Sequence, residues 1–518
     1  MTAGEWDVVV VGAGSAGCTL AARLVDAGRR VLVLEAGADH RRPEDVPEVF
    51  RDAATMGAAT PGHRANWELT GELTDDLHRP VPRGRVLGGS SALNGTYFIR
   101  PTRADLDGWA AEGNDLWAAD ALLPAFRRCE ADADFGHLPG HGAAGPLPVT
   151  RVHRPHPVTD AFAGACDALG FPAEPDKNGD APPGHGPVPL TVAAGIRVNT
   201  AMAYLSPRRG SPGLTVRGGV RVTRVLVERG RAVGVLTDSG PVYAAEVVLA
   251  AGAVGSPHLL LLSGIGAADR LRAAGVDVVA DVPGVGRDST DHPAVYVTWR
   301  PARRTPMPRD LLPLATALNT PDHLEVMPWL KPFSRVLPPP GAEGPDVAGP
   351  RRRASPARPP EDLYLAVALQ QEESRGELTL ASTDPLVQPR IRYHYLTAAA
   401  DRERLRAGVR LAAELLRTPA FAPLVAERTG LPDDVLADDR ELDRWVRAHL
   451  ATAVHLSGSA RMGPASDPGA VVDQHLRVRG VEGLRVVDTS VLPRVPSRGP
   501  AATAVAVGER AAELMTGG

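Results

Sequence analysis

The chain has 518 residues, a formal net charge of -4 at pH 7, 43% hydrophobic residues and only 4% aromatic ones. That length suits two domains or one interleaved pair, and the near-balanced charge offers no basic field for nucleic acid. Cys18, Cys129 and Cys166 are too few and too scattered for a disulfide framework or a zinc site, so no metal is expected. No basic segment with a long apolar run precedes the first predicted strand, and no run of 18 apolar residues occurs. A cytoplasmic protein is therefore expected, with peripheral contact at the inner face of the membrane left open.

The chain opens on Trp6-Asp7-Val8-Val9-Val10-Val11, then Gly12-Ala13-Gly14-Ser15-Ala16-Gly17. An apolar run before Gly-x-Gly-x-x-Gly predicts a buried strand, a tight turn and a helix start. Gly12 permits the turn, Gly14 lets backbone N–H groups approach a pyrophosphate, and Gly17 lets helix and strand pack closely. The helix N-terminus then favours the phosphate charge. Leu20, Ala21, Leu24 and Val25 share one helix face, and Gly28 can end it. Val31 to Leu34 predict the second strand. Glu35 follows Gly17 by 18 residues, well placed to accept hydrogen bonds from a ribose diol. The motif names a dinucleotide without separating FAD from NAD.

Residues 38–82 read as irregular. Pro82-Arg83-Gly84-Arg85-Val86-Leu87-Gly88-Gly89-Ser90-Ser91-Ala92-Leu93-Asn94-Gly95 is a Gly- and Ser-rich loop entering a helix, able to present N–H groups to a flat polar ring or a phosphate. Helices are predicted over 105–130 and 158–170. Residues 214–236 read as a meander of strands. Val242 to Leu249 returns to the first sheet and leads into an apolar helix through Pro257-His258-Leu259. Residues 300–360, rich in Pro and Arg and including Arg351-Arg352-Arg353, read as a solvated excursion. Leu363 to Leu369, Glu377 to Leu380 and Leu484 to Val487 predict strands. Residues 400–418 and 438–450 predict amphipathic helices, and Ala501 to Met515 a last helix with Pro500 at its first turn.

These motifs, in this order, resemble the glucose-methanol-choline (GMC) family of FAD oxidoreductases nearly end to end. The resemblance is carried by Gly12 to Cys18 with Glu35-Ala36-Gly37, by Pro82 to Gly95, and by Gly252 to Gly266. It extends through Val282 to Gly286 with Asp291-His292, His455 to Gly463, Val471 to Gly480 and Leu484 to Pro493. It implies an α/β fold, a Rossmann-like FAD-binding domain with a βαβ start, interleaved with an α+β substrate domain built on an antiparallel sheet. The expected division is 1–150 FAD-binding with the flavin-contacting loop 82–95, 151–213 substrate, 214–299 FAD-binding, 300–450 substrate, and 451–518 FAD-binding with the catalytic His.

The resemblance also implies site residues. Gly12, Gly14, Ser15, Ala16, Gly17, Glu35 and Ala36 would hold the ADP half, and Val222 would meet the adenine by its backbone. Trp67, Ala250 and Gly252 join the cofactor-binding set. Leu87, Gly88, Gly89, Ser91, Asn94 and Gly95 would line the isoalloxazine, and Asp488, Pro500 and Ala501 would face it from beneath. Some members link FAD through a His before the Asn of the loop motif; here that position is Leu93, so non-covalent FAD is expected.

Alcohol oxidation moves a hydride from carbon to flavin N5 and a proton from oxygen to a base, for which the resemblance implies His455. The family's second polar residue before the last helix aligns with Ala501, which cannot take a proton; Arg498 or Thr503 are alternatives nearby. Ser497 to Thr503 and Ser374 to Leu380 resemble the GMC subgroup associated with the mycofactocin redox cofactor, making its reduced form one expected donor. An alcohol or choline-type dehydrogenase or oxidase and a non-redox hydroxynitrile lyase-like flavoprotein are the alternatives. The electron acceptor is left open, the respiratory chain being one candidate.

Overall fold

The computed structural model describes residues 6–338 and 361–517; the Arg351 to Arg353 run lies outside them. β1 (Trp6–Val11), α1 (Ser15–Asp26) and β2 (Val31–Glu35) form the opening βαβ unit. Both strands pair in parallel and are covered on both faces, so they read as unbroken Val/Leu runs rather than an alternating pattern.

Residues 38–82 are more ordered than expected. β3 (Leu69–Thr74) and β4 (Leu77–Val81) form an antiparallel hairpin. β4 lies at a sheet edge, where a Pro and charged residues are tolerated, and that composition hides it. The helix expected over 105–130 is two, α2 (Arg103–Ala111) and α3 (Ala119–Cys129), parted at Gly113, whose φ is +91°. Thr102 and Asp105 close a capping box on α2. α4 (Pro157–Ala168) follows.

β5 (Leu214–Gly218) pairs in parallel with β2, so it belongs to the first sheet and not to the meander. The antiparallel meander is β6 (Val222–Glu228), β7 (Arg231–Thr237) and β8 (Gly240–Leu249). The far half of β8 runs parallel to β1 and delivers the chain to α5 (Gly252–Leu262).

β9 (Pro293–Pro301) pairs entirely within a second, antiparallel sheet, so the nucleotide-binding stretch expected to reach 299 ends before it. Residues 300–338 also differ from expectation: β10 (Thr316–Asn319) and β11 (Leu324–Trp329) are largely buried strands of that sheet. β12 (Leu363–Leu369) fills its centre between β9 and β11. β13 (Glu377–Thr379) and β14 (Arg390–Arg392) join β3 and β4 in a third sheet. α6 (Ala399–Arg417) covers one face of the second sheet, where Gly408 lies so close that a Cβ would stand 2.7 Å from Val367 Cγ1. Residue alternation then puts Ala294, Tyr296, Glu325, Met327, Ala366 and Ala368 on the opposite face.

After α7 (Asp439–Ala448), β15 (Leu484–Val486) returns to the first sheet beside β8. α8 (Ala501–Thr516) then packs on α1. Gly508 permits this approach, since a Cβ there would stand 2.6 Å from the Ala16 carbonyl oxygen. Among the described residues no helix is long and apolar enough to cross a membrane.

A buried ion cluster fixes the 130–178 segment. Glu130 pairs with Arg100 at 2.5 Å, Asp132 with Arg151 at 2.8 Å, and Asp176 with Arg151 at 3.0 Å. His141 bridges them, with Nδ1 3.1 Å from Glu130 and Nε2 2.9 Å from Asp176. Burial opposes its charge, but hydrogen bonds with Asp132, Asp176 and Glu130 outweigh that and hold its pKa up at about 10. Its contribution to stability is therefore complete below the ordinary value of 6.5 and is lost as pH rises through about 10. His141→Gln is expected to cost about 3 kcal/mol near pH 6, and urea unfolding should show that deficit shrinking towards pH 10.

Candidate active site

The glycine turn after β1 is built by close approaches. Gly12 has φ +101°, and a Cβ there would stand 2.5 Å from the Ala250 carbonyl oxygen. A Cβ on Gly17 would stand 2.1 Å from the Gly12 carbonyl oxygen. A Cβ on Gly14 would meet nothing closer than 3.9 Å, so the turn is open on that side, where Ser15, Ala16 and Gly17 begin α1. Glu35 is buried; its Oε2 accepts from Ala13 N at 2.9 Å and its Oε1 from Gly37 N at 2.8 Å. Ala36 lies between these contacts. Cys18 packs, its thiol donating to the Ala13 carbonyl and pushed up to about 12 by burial.

The 82–95 loop lies directly on this turn. Gly88 N donates to the Ala13 carbonyl at 2.8 Å, and a Cβ on Gly89 would stand 2.7 Å from Gly14 Cα. Ser91 Oγ donates to the Gly88 carbonyl at 2.6 Å and accepts from Thr200 N. The Asn94 side chain accepts from Thr96 N at 3.0 Å, Gly95 packs against Leu314, and Leu87 is buried. Leu93 is buried in an apolar cluster with Val46, Phe50 and Ala92. Arg197, which the sequence did not single out, is fully buried and donates to the carbonyls of Asn94, Phe50, Ala92 and Thr55. It is the post on which the loop hangs.

Trp67 stands between the guanidinium groups of Arg85 at 5.2 Å and Arg221 at 5.0 Å, next to Val222 at the start of β6. Ala250 N donates to the Val11 carbonyl, and Gly252 adopts φ +79°. Asp488 is buried and wholly engaged: one oxygen takes Gly252 N and Ser256 Oγ, the other Ser490 N and Oγ. It pins the Gly252 turn to the end of β15 rather than presenting a free carboxylate.

At the other end, His455 and His292 meet edge to face with Nδ1 to Nδ1 at 2.8 Å. Both backbone N–H groups donate to one oxygen of the buried Asp291, each at 2.7 Å, and Thr452 Oγ1 donates to the other. The residue beside His455 is Gly499, not Ala501: a Cβ on Gly499 would stand 3.3 Å from His455 Cε1 and 3.4 Å from Nε2. Ala501 already starts α8, whose Ala504 N reaches the Pro500 carbonyl. The expectation, aligned on Asp488 to Pro493 upstream and Gly508 downstream, placed the position at Ala501, two residues later. Arg498 does not substitute; its guanidinium is held by Glu174 at 2.6 Å and the Lys177 carbonyl at 2.5 Å. Thr503 Oγ1, in the first turn of α8, is buried without a partner among the described residues. The Tyr97 ring also flanks Gly499, 3.9 Å from that Cβ position, and its hydroxyl donates to Glu325 at 3.0 Å. Tyr97, Glu325 and Gly499 were missed because their meeting depends on packing of distant segments.

Residues 6–294 match the GMC oxidoreductase N-terminal model and residues 372–508 the C-terminal one. The chain belongs to the GMC oxidoreductase family. It is 40% identical to an uncharacterized GMC-type oxidoreductase in the thcA 5' region of Rhodococcus erythropolis, covering 99% of this chain and 98% of that one. It is 37% identical to the mitochondrial choline dehydrogenase of Mus musculus, covering 99% and 90%. Pyridoxine 4-oxidase from Mesorbium loti has the same fold, with TM-score 0.85, 28% identity and coverage of 98% and 99%.

This GMC protein is thus an FAD-dependent oxidoreductase. The residues present fit that cofactor: a glycine turn at the first turn of a helix, a buried acid at the end of β2, and, among the described residues, an orphaned hydroxyl at the start of α8. Gly17→Ala forces α1 away from the turn. The purified variant is expected to lose most of its flavin absorbance while its far-ultraviolet circular dichroism stays unchanged.

Proposed function

We propose that the protein oxidises a CH–OH donor, with Gly12, Gly14, Ser15, Ala16, Gly17 and Glu35 holding the ADP half of FAD, the 82–95 loop beside its ring, and His455 Nε2 as the base. FAD supplies the hydride acceptor. The observation that carries the reading is the geometry of His455: Nδ1 is engaged by His292, while Nε2 has no hydrogen-bond partner among the described residues and lies 3.4 Å from where a Cβ on Gly499 would stand. The alcohol O–H bond breaks as an N–H bond forms at Nε2, and the electron pair of the adjacent C–H bond leaves as hydride. With FAD bound, the partial positive charge at the N-terminus of α8 would stabilise negative charge on the reduced cofactor.

Burial above all, with His292 and the Arg83 charge nearby, holds the His455 pKa well below the ordinary 6.5. A base with a lowered pKa stays unprotonated further into acid. The acid limb of kcat/KM is therefore expected below pH 6.5, in a profile measured with any turned-over alcohol. His455→Gln should lower kcat by about a hundredfold or more with flavin content unchanged; near-normal turnover would remove the assignment.

Leu93 carries no nucleophile and is packed away, which supports non-covalent FAD. Acid precipitation should leave the yellow chromophore in the supernatant. For the donor, the absent side chain at Gly499 supports a second reading, a bulky donor such as reduced mycofactocin, alongside small alcohols. Anaerobic mixing with each donor separates them by which one bleaches the flavin; bleaching by neither, with turnover of a cyanohydrin, would favour the lyase alternative.

A further inference from the structure

His292 lies between two partners of different kinds. Its Nε2 is 3.0 Å from the Pro496 carbonyl oxygen, and its Nδ1 is 2.8 Å from His455 Nδ1. A carbonyl oxygen has no proton to give, so His292 Nε2 must carry one and donate it. A neutral imidazole with its proton on Nε2 has a bare lone pair on Nδ1. The 2.8 Å contact between the two Nδ1 atoms then needs its proton from His455.

We infer that the Pro496 carbonyl, acting through His292, sets the tautomer of His455: Nδ1 protonated and Nε2 bare. This inference rests on His455 being the base, and it assigns His292 as its positioning residue. The consequence is direct. With the proton on Nδ1, Nε2 can accept the alcohol proton at once; with the proton on Nε2, the same ring in the same place can only donate.

The surroundings keep His292 neutral and, among the described residues, leave it the one hydrogen-bond partner of the His455 ring. Burial pushes its pKa down to about 3. On its own segment, just before β9, Asp291 spends its oxygens on the backbone N–H groups of His292 and His455 and on Thr452, and its own N–H goes to Glu372 Oε1 at 2.9 Å. From the other packed segments come the Arg83 charge and the buried hydroxyls of Tyr393 and Tyr395. Beside Gly499 stand Tyr97 with Glu325, and Arg498 held on Glu174 with Lys177 beside it. The hydrogen-bonded groups among these are engaged away from the two rings. Protonating His292 would reverse the donor at Nδ1 and drive the His455 proton to Nε2, so the arrangement works only with His292 neutral.

The test reads the tautomer without turnover. Holoenzyme labelled with nitrogen-15 in histidine should give His455 a bare Nε2 and a protonated Nδ1, and His292 the reverse, with the assignments made from His292→Asn and His455→Gln. His292→Phe should shift His455 towards the Nε2-protonated form and lower kcat by about a hundredfold, flavin content being unchanged. His292→Asn keeps an acceptor oxygen near the Nδ1 position and should restore both tautomer and most of the rate. A protonated His455 Nε2 in the unaltered enzyme would overturn the inference, as would a His292→Phe variant with unchanged tautomer and pH profile. If His292→Phe does not fold, the spectra of the unaltered enzyme and of His292→Asn still decide. Full turnover by His455→Gln would refute the base and leave the tautomer result standing, so the two failures are separable.

Discussion

The carboxylate of Asp291 is the constraint on which the reacting end depends. One of its oxygens accepts the backbone N–H groups of His292 and His455, residues 163 apart in the chain. Two neighbouring imidazoles are thereby fixed by their main chains before any side-chain contact is considered. Asp291 is itself buried, which raises its pKa, and its three accepted hydrogen bonds are what make a buried carboxylate tolerable there. Remove it and each His would keep its ring contact but lose the anchor that makes that contact single-valued.

The dinucleotide end is governed by a different rule, the exclusion of side chains. Gly12, Gly17, Gly88 and Gly89 sit where a Cβ would meet backbone or a neighbouring side chain at under 3.0 Å, so the turn, α1 and the 82–95 loop form one interlocked surface. Two polar posts, Arg197 under the loop and Asp488 under the Gly252 turn, hold that surface from behind. Packing sets the shape, and buried hydrogen bonds stop it from relaxing.

Much of this was legible in the chain. The glycine turn, Glu35 and α1 follow from local φ and spacing rules, and the structure places them where those rules put them. The fully buried strands of the first sheet announce themselves as Val/Leu runs. The second sheet is harder because β11 carries Pro328 and the buried Glu325, which break the pattern that periodicity looks for. Aligning the motifs on either side of residues 494–507 gave Ala501 as the position beside the base, two residues past Gly499, because the stretch between them has no fixed spacing. Only the packed structure says which backbone atom faces the His455 ring. His292 was visible within a motif, but its role lies in a donor–acceptor chain that no one-dimensional pattern encodes.

The absence of a side chain at Gly499 does not make the loop before α8 loose. His292 bonds the Pro496 carbonyl, Ser497 gives both its N–H and its hydroxyl to Asp105 at 3.0 and 2.7 Å, and Arg498 is clamped by Glu174. Three consecutive residues are thus tied to three different elements immediately before the glycine. Their charges are locally matched, since Arg498 and Lys177 face Glu174 and Glu325. Gly499 is therefore held in place beside the His455 and Tyr97 rings rather than free to act as a hinge. A Cβ there would stand 3.3 Å from His455 Cε1 and 3.9 Å from the Tyr97 ring, so even one added carbon would press on the imidazole, and the glycine and the ring position form one packing constraint.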